Sequence, residues 1–531
     1  MNTLFINGKI ATLDSENNFY EALGIRDNLI KFLGTNAEAE EVCQNYDEVI
    51  DLKGKVVLPG FNDSHMHLLN YGYALNMMDL TKFSSIDEII TAGKALIYSR
   101  PADALNSLLG RGWNQDRLLE NRFPTKDDLD KISTEIPIIL TRICGHIAVC
   151  NSKALSYLDN IESLADNPHV ILDKGIFMED ALYLVYNLIP QPTIDEIKNM
   201  IIMTCDELLS YGITSVQSDD LSALPSTDFK SILEAYNELL AENKLPVRIY
   251  EQCLLGDLDE FKSFVNDGYR TGHGDNCFKI GPLKLLLDGA LGGRTALLRA
   301  PYNDDKDNFG IATFTQDELN EYIKFAHDNG FQIAAHAIGD KAMDMFLNSL
   351  ENLGEDISEA RHGIVHCQIT NSDIIQRMKK LGVMAYIQPI FLDYDMHIVE
   401  DRVGERYKES YAFKTMSDLG IQLSIGSDSP VVHFNPFENI YSAVCRKDLK
   451  GYPNDGFMPG EKLSLETALK IFTSGSAYSS FDENLKGSLG IGKLADLVVL
   501  DRDIFEIPSD EIKNIKAEIT MVDGNIVLRR V

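Results

Sequence analysis

Several things are scarce in this chain of 531 residues. Tryptophan occurs once, and the eight cysteines are scattered with no two forming a CxxC pair. Most of the cysteines lie in apolar or strand-like surroundings, where a reduced thiol packs as a small hydrophobe. A reducing cytoplasm is therefore the expected compartment. Basic residues are outnumbered: 49 Lys and Arg against 81 Asp and Glu leave a formal charge of −32. So negative a surface repels phosphate backbones and anionic lipid at long range. Neither nucleic acid nor membrane is the expected partner, although a local basic pocket for a small anion stays open. No apolar run approaches the ~20 residues that span a bilayer. The stretch from Met1 to Gly8 has neither a basic n-region nor a long apolar h-region, so no secretory signal is expected.

What is present is ordinary for a folded protein: 44% apolar and 24% charged residues, with 37 Gly and 17 Pro. The length suits roughly two to four domain-sized units. The first 58 residues alternate short strand patterns with turn signals, and residues 485–531 do the same around the turn at Asp523-Gly524. Two β-rich ends flanking a long middle predict a small β-sandwich domain built from both termini, 1–58 plus 485–531.

The middle, 59–484, alternates nearly all-apolar runs with helical patterns. Strands are expected at 56–62, 212–218, 247–253, 283–288, 332–336, 363–366, 383–388 and 422–427, with helices such as 317–329, 341–353 and 372–381. Apolar strands suit a parallel sheet covered on both faces. Eight of them with intervening helices make an α/β fold of the (β/α)8, TIM-like barrel type. The gap between the first two strands is far too long for one βα unit, so a large insertion after barrel strand 1, at about 73–205, is expected.

The strongest local pattern is Leu58-Pro59-Gly60-Phe61-Asn62-Asp63-Ser64-His65-Met66-His67. Residues i and i+2 of a strand share a face, so His65 and His67 can share one divalent cation; they can equally be two unrelated polar residues. Further donors end later strands: His336, His366 and Asp428. Strand ends converge on one rim of a barrel, which favours the metal reading. Two ions need an anionic bridge, and no carboxylate is expected at a strand end in between. Lys284 is the odd residue in an apolar strand. A desolvated amine loses its proton readily and can add carbon dioxide to become a bridging carbamate. A buried ion pair with Asp288 is the other reading.

This ordered set resembles the amidohydrolase superfamily, specifically amidohydrolase family 3, the YtcJ-like metal-dependent hydrolases. The matching segments are Leu58–His67, Gly212–Val216, Lys284–Ala296 with its Gly292-Gly293-Arg294, His336–Asp340, His366, Gly426–Pro430 and Gly490–Asp501. The resemblance implies that His65, His67 and Asp428 bind one metal and that His336 and His366 bind another. It also implies a carboxylated Lys284 as the bridge, with zinc as the expected ion, one or two per chain. Asp428 is the implied catalytic proton carrier.

The implied activity is hydrolysis of a non-peptide carbon–nitrogen bond, a linear N-acyl or N-formyl amide, by a metal-activated water. A deaminase or esterase-like hydrolase of the same fold is the alternative, and a non-catalytic, metal-stabilised regulatory protein is the second. Three further residues are substrate-side candidates. His146, in Gly145–Ser152, can hydrogen-bond a substrate or simply help fold the insertion. Trp113 is the lone indole. Arg294 can clamp an anionic group or form an ion pair. The run Asp304-Asp305 reads as a solvated face. The expected partner is a small-molecule substrate; a homodimer is compatible.

Overall fold

The computed structural model describes residues 2–99, 107–143, 146–158, 161, 164, 167–186, 191–224, 227–354 and 356–530. It divides into two compact units. The first holds 1–68, 204–221 and 239–531; the second holds 69–203 and 222–238.

In the first unit, both chain ends build two sheets. One sheet has the order Leu29–Gly34, Ala22–Arg26, Thr3–Ile6, Glu48–Asp51. The other has the order Asn525–Arg529, Ala517–Val522, Leu497–Leu500, Val56–Pro59, Lys9–Ala11, Phe19–Tyr20. Antiparallel pairing of Val57 with Val499 ties the N-terminal segment to the C-terminal one. Phe5, Leu23, Ile25, Val57, Leu497, Val499 and Met521 form their shared apolar core.

The same unit contains an eight-stranded parallel sheet. Its strands are β1 (Phe61–Met66), β2 (Ile213–Ser218), β3 (Arg248–Leu254), β4 (Phe278–Leu286), β5 (Ile333–Ala337), β6 (Gly363–His366), β7 (Met384–Ile387) and β8 (Leu423–Ile425). They pair in chain order. The last returns to the first, where Asp428 N–H donates to His65 O (2.8 Å) and Ser427 N–H to Asp63 Oδ1 (3.0 Å). This is the TIM-like barrel with its added β domain.

The helices around the barrel follow local chemistry. Thr315 and Glu318 form a capping box that starts Gln316–Asp328. Asn371 caps Ser372–Leu381, and Gly382, at φ 69°, ends it in the left-handed region.

The strand expected across 56–62 is in fact two. Val56–Pro59 belongs to the terminal sheet and Phe61–Met66 to the barrel. Gly60 lies between them, where a Cβ would sit 2.2 Å from the Thr214 hydroxyl. Only glycine lets the chain pass that close to β2.

The second unit carries a six-stranded mixed sheet, ordered Val170–Ile171, Ile176–Met178, Ile147–Cys150, Ile138–Arg142, Leu108–Trp113, Met78–Asp79. Ile138 and Leu140 face one apolar cluster and Ile139 the other, the period of a strand buried on both sides. The unit also takes in 222–238, which the sequence reading had assigned to the barrel. Among the described residues no helix is long and apolar enough to cross a membrane.

Candidate metal centre

The barrel geometry turns the side chains at its strand ends toward one point. His65 comes from β1, and its ring centroid is 5.2 Å from that of His67 and 5.6 Å from that of His366. His366 in turn is 4.4 Å from His336. His65, His366 and Asp428 are buried, and each offers a donor atom within 4.8 Å of the others; His65, His67 and Asp219 form a second such group.

The hydrogen bonds fix which ring nitrogen each imidazole can offer. His65 Nδ1 lies 2.9 Å from Gln252 Oε1, and Gln252 donates its own amide to Ser64 O, which holds it in place. His366 Nδ1 lies 2.8 Å from Gln388 Oε1. His67 Nδ1 meets Asp219 Oδ1. In each case Nδ1 is taken by the bond that orients the ring, and Nε2 is the nitrogen a cation could use in place of a proton. His336 is reversed: Nε2 faces Gly289 O at 3.2 Å and Asp288 Oδ1 at 3.3 Å, so Nδ1 is the free nitrogen.

Asp428 completes the set. Its Oδ1 is 2.9 Å from His67 Nε2 and 3.3 Å from His65 Nε2. Two of the groups sit on left-handed backbone, His366 at φ 76° and Asp428 at φ 62°. Such strain costs about 1–3 kcal/mol per residue and is retained where geometry matters more than local ease. Gly426 is needed for the same closure: a Cβ there would lie 2.5 Å from His65 N.

The electrostatics ask for positive charge. Burial alone would lower the pKa of His67, but the carboxylates of Asp219 and Asp428 overcome it and push it up to about 10. Burial likewise opposes ionisation of Asp428, yet hydrogen bonds from His65 and His67 hold it well below the usual carboxylate range. Asp219 is held low by His67 and Lys284 against the same desolvation. Imidazole nitrogens beside ionised carboxylates are the donor set of a divalent cation, which would take the place of the proton that these carboxylates hold on His67, so the residues fit one.

Two sequence expectations need correction. Lys284 is buried, but its partner is not Asp288. Its Nζ lies 3.1 Å from Asp219 Oδ2 and 3.1 Å from His65 Nε2. Asp288 instead accepts the backbone N–H groups of Leu297, Ile338 and Gly339 (2.8–3.0 Å), clamping the loops after β4 and β5. And a carboxylate does stand at an intermediate strand end: Asp219 directly follows β2. The signal was present in Ser218-Asp219-Asp220, but an acid after a strand also suits a turn.

The remaining candidates lie as follows. Arg294 closes on Asp304 at 2.9 and 3.2 Å. Asp304 also meets Arg402, so it is an ion-pair hub and not a solvated face. In the second unit Trp113 is fully buried among Leu80, Leu108, Leu140 and their neighbours, and its indole N–H donates to Leu140 O at 2.9 Å. No face of that ring is open to a ligand. His146 is exposed and 3.0 Å from Glu179.

Comparison with known proteins agrees with this geometry. The sequence pattern of the amidohydrolase family matches residues 48–528. The amidohydrolase-type protein YtcJ of Bacillus subtilis (strain 168) is 30% identical, with both chains covered fully. The N-substituted formamide deformylase of Arthrobacter pascens is 24% identical over 98% of this chain and 97% of its own. Among solved structures, an uncharacterized metal-dependent hydrolase from Pyrococcus furiosus superposes with a TM-score of 0.80 at 32% identity, covering 95% of this chain and 99% of that one. The chain belongs to the amidohydrolase family, the metal-dependent hydrolases to which its cluster of imidazoles and carboxylates had already pointed.

Proposed function

We propose that the protein hydrolyses a non-peptide carbon–nitrogen bond, a linear N-formyl or N-acyl amide, at the rim of the barrel. The observation that carries this reading is the convergence of four imidazoles with Asp428, each ring oriented through one nitrogen, with the other nitrogens of His65 and His67 turned to Asp428. His65, His67 and Asp428 would hold one ion. His336 and His366 would hold a second, with Lys284 between the two as its carbamate. Zinc suits imidazole nitrogen with carboxylate oxygen. Such an ion lowers the pKa of water from 15.7 to about 7 and polarises a carbonyl.

The chain's own residues supply the rest. Asp428 is ionised at neutral pH and lies between His65 and His67, so it is placed to accept the proton of the attacking water and give it to the leaving nitrogen. The amide C–N bond breaks, the water oxygen stays on the acyl carbon, and the amine leaves neutral. To reach the carbamate, the Lys284 ammonium would give up its ion pair with Asp219 and one proton to become the amine, and a second proton as its nitrogen bonds to the carbon of carbon dioxide. The relative that acts on N-substituted formamides, matched over nearly its whole length, supports an amide in preference to an ester. The seven described cysteines are all free, which suits a cytoplasmic enzyme.

The test is turnover of formamides, N-acyl amino acids and aryl esters by zinc-loaded protein, with and without chelator. Chelator-sensitive release of amine supports the reading. Hydrolysis of esters alone, or no turnover with metal bound, overturns it. Elemental analysis together with intact mass decides between one ion with free Lys284 and two ions with one added carbon dioxide.

A further inference from the structure

The chain leaves β6 through two consecutive residues on left-handed backbone, His366 at φ 76° and Cys367 at φ 51°. Neither is glycine, so the neighbouring structure has to impose the turn. On one side Cys367 N–H and Ile369 N–H donate to Ala337 O (3.3 Å) and Ile338 O (2.9 Å), in the chain leaving β5. On the other side stands the loop after β7, and its hold runs through Gln368. Tyr411 N–H donates to Gln368 O at 2.8 Å. Gln368 Nε2 donates to Asp395 Oδ2 at 3.2 Å.

Asp395 gathers these contacts. The Tyr411 hydroxyl donates to the same oxygen, Oδ2, at 2.8 Å. Tyr411 is itself held from behind, because its carbonyl accepts Nη1 of the buried Arg446 at 3.1 Å. Asp395 is the last residue of the short helix Leu392–Asp395. Phe391, just before that helix, lies nearly parallel to the His366 ring, with centroids 5.8 Å apart and planes 14° apart. One turn of helix therefore joins the ring stacked on His366 to the carboxylate that holds Gln368.

Packing alone does not account for this arrangement. Asp395, Gln368 and Tyr411 are all buried. Burial pushes the Asp395 carboxyl up to about 6, and only hydrogen bonds from the neutral Tyr411 and Gln368 oppose that. Gln368, turned to make its bond, leaves Oε1 buried with no partner. Burying such groups is unfavourable, and an apolar residue at 395 would fill the space without desolvating an acid.

We propose that Asp395 is a positioning residue for His366: its carboxylate ties Gln368 to the β7 loop and so fixes the turn that aims the imidazole at the metal centre. The inference rests on the metal-centre reading above for what His366 does there, but the placement itself is measurable in metal-free protein.

Hydrogen–deuterium exchange at the imidazole C2 position, followed by mass spectrometry on metal-free protein, reports each histidine separately. In Asp395→Leu the rate at His366 should rise at least about tenfold, the effect of losing a buried hydrogen bond, with His65 unchanged as the internal control. Asp395→Asn keeps an acceptor oxygen and should keep the parent rate. Tyr411→Phe removes one of the two bonds and should give an intermediate rate; it decides the matter if the leucine variant does not fold. Zinc affinity, by chelator competition, should fall about 10–100-fold in Asp395→Leu and stay near the parent's in Asp395→Asn. Parental exchange at His366 in both Asp395→Leu and Tyr411→Phe overturns the inference. So does equal acceleration at His65 and His366, which would mark a loss of the fold at large. Faster exchange at His366 with zinc affinity unchanged leaves the placement standing and removes His366 from the metal centre.

Discussion

The Asp219 carboxylate lies 3.1 Å from the ammonium nitrogen of Lys284. Its other oxygen meets Nδ1 of His67. One side chain therefore orients two of the groups proposed to bind metal, although it follows β2 and neither of them is near it in sequence. Asp219→Asn keeps the shape and removes the charge. Zinc affinity, measured by competition with a chromophoric chelator, should fall about 10–100-fold, the usual effect of losing a carboxylate behind a metal-bound histidine. Unchanged zinc affinity would show that His67 needs no such support.

Asp428→Asn separates holding from proton transfer. The amide oxygen can still face His67, and the imidazoles remain, so zinc content by elemental analysis should stay near that of the parent. Turnover should drop by about 10²–10⁴-fold, the range expected when a positioned proton carrier is removed. Parental activity in this variant would discard the role assigned to Asp428.

Gly426→Ala tests the closure of the barrel. The new methyl would meet His65 N at 2.5 Å and His65 O at 2.8 Å, both backbone atoms that cannot swing aside. β8 and β1 must separate at the metal centre. We expect a loss of about 1–3 kcal/mol in urea unfolding, accompanied by weaker zinc binding. Stability lost with zinc binding intact would mean that the strain is relieved elsewhere.

Arg248 joins the barrel to the C-terminal segment. It contacts Asp496 at 2.6 and 3.0 Å and Asp523 at 2.9 Å, and it is almost wholly buried. Arg248→Met leaves Asp496 buried without its counter-ion, a change that costs about 3–5 kcal/mol. The denaturant midpoint should fall accordingly. A shift within experimental error would place the ion pair among those that contribute nothing net.

His362 gives stability a defined pH dependence. Its Nδ1 accepts the Ile333 N–H at 3.0 Å, and its Nε2 lies 3.2 Å from His327 Nδ1. Burial, with His327 adding to it, pushes its pKa down to about 3. Between that value and the ordinary histidine value near 6.5 the unfolded chain binds the extra proton, so stability rises with pH across this window. The contribution is complete above about pH 6.5 and is lost as pH falls toward 3, by up to about 1.4 kcal/mol per unit. Unfolding at a series of pH values should show a shallower acid slope in His362→Gln than in the parent.

The order of elements was legible from residues alone. Apolar runs marked seven of the eight barrel strands to within a few residues, and helical patterns marked Gln316–Asp328 and Ser372–Leu381, because these are local chemical facts. Five of the candidate donors were legible too, since His65, His67, His336, His366 and Asp428 sit at strand ends that a barrel gathers on one rim. Gly60, by contrast, looked like part of one strand, because its requirement is a close pass by Thr214, 154 residues later in the chain.

What the sequence determined by itself was the kind of chemistry: which side chains are present, on which faces of which strands, and with what overall charge. Only the folded barrel decided their pairings. It set Lys284 against Asp219 instead of Asp288, gave His336 the opposite tautomer from its neighbours, and turned Asp304 into the hub of two arginines. Alternation along a strand fixes a direction over a few residues. The distance between side chains on different strands depends on register, twist and closure, and these arise only when all eight strands pack together.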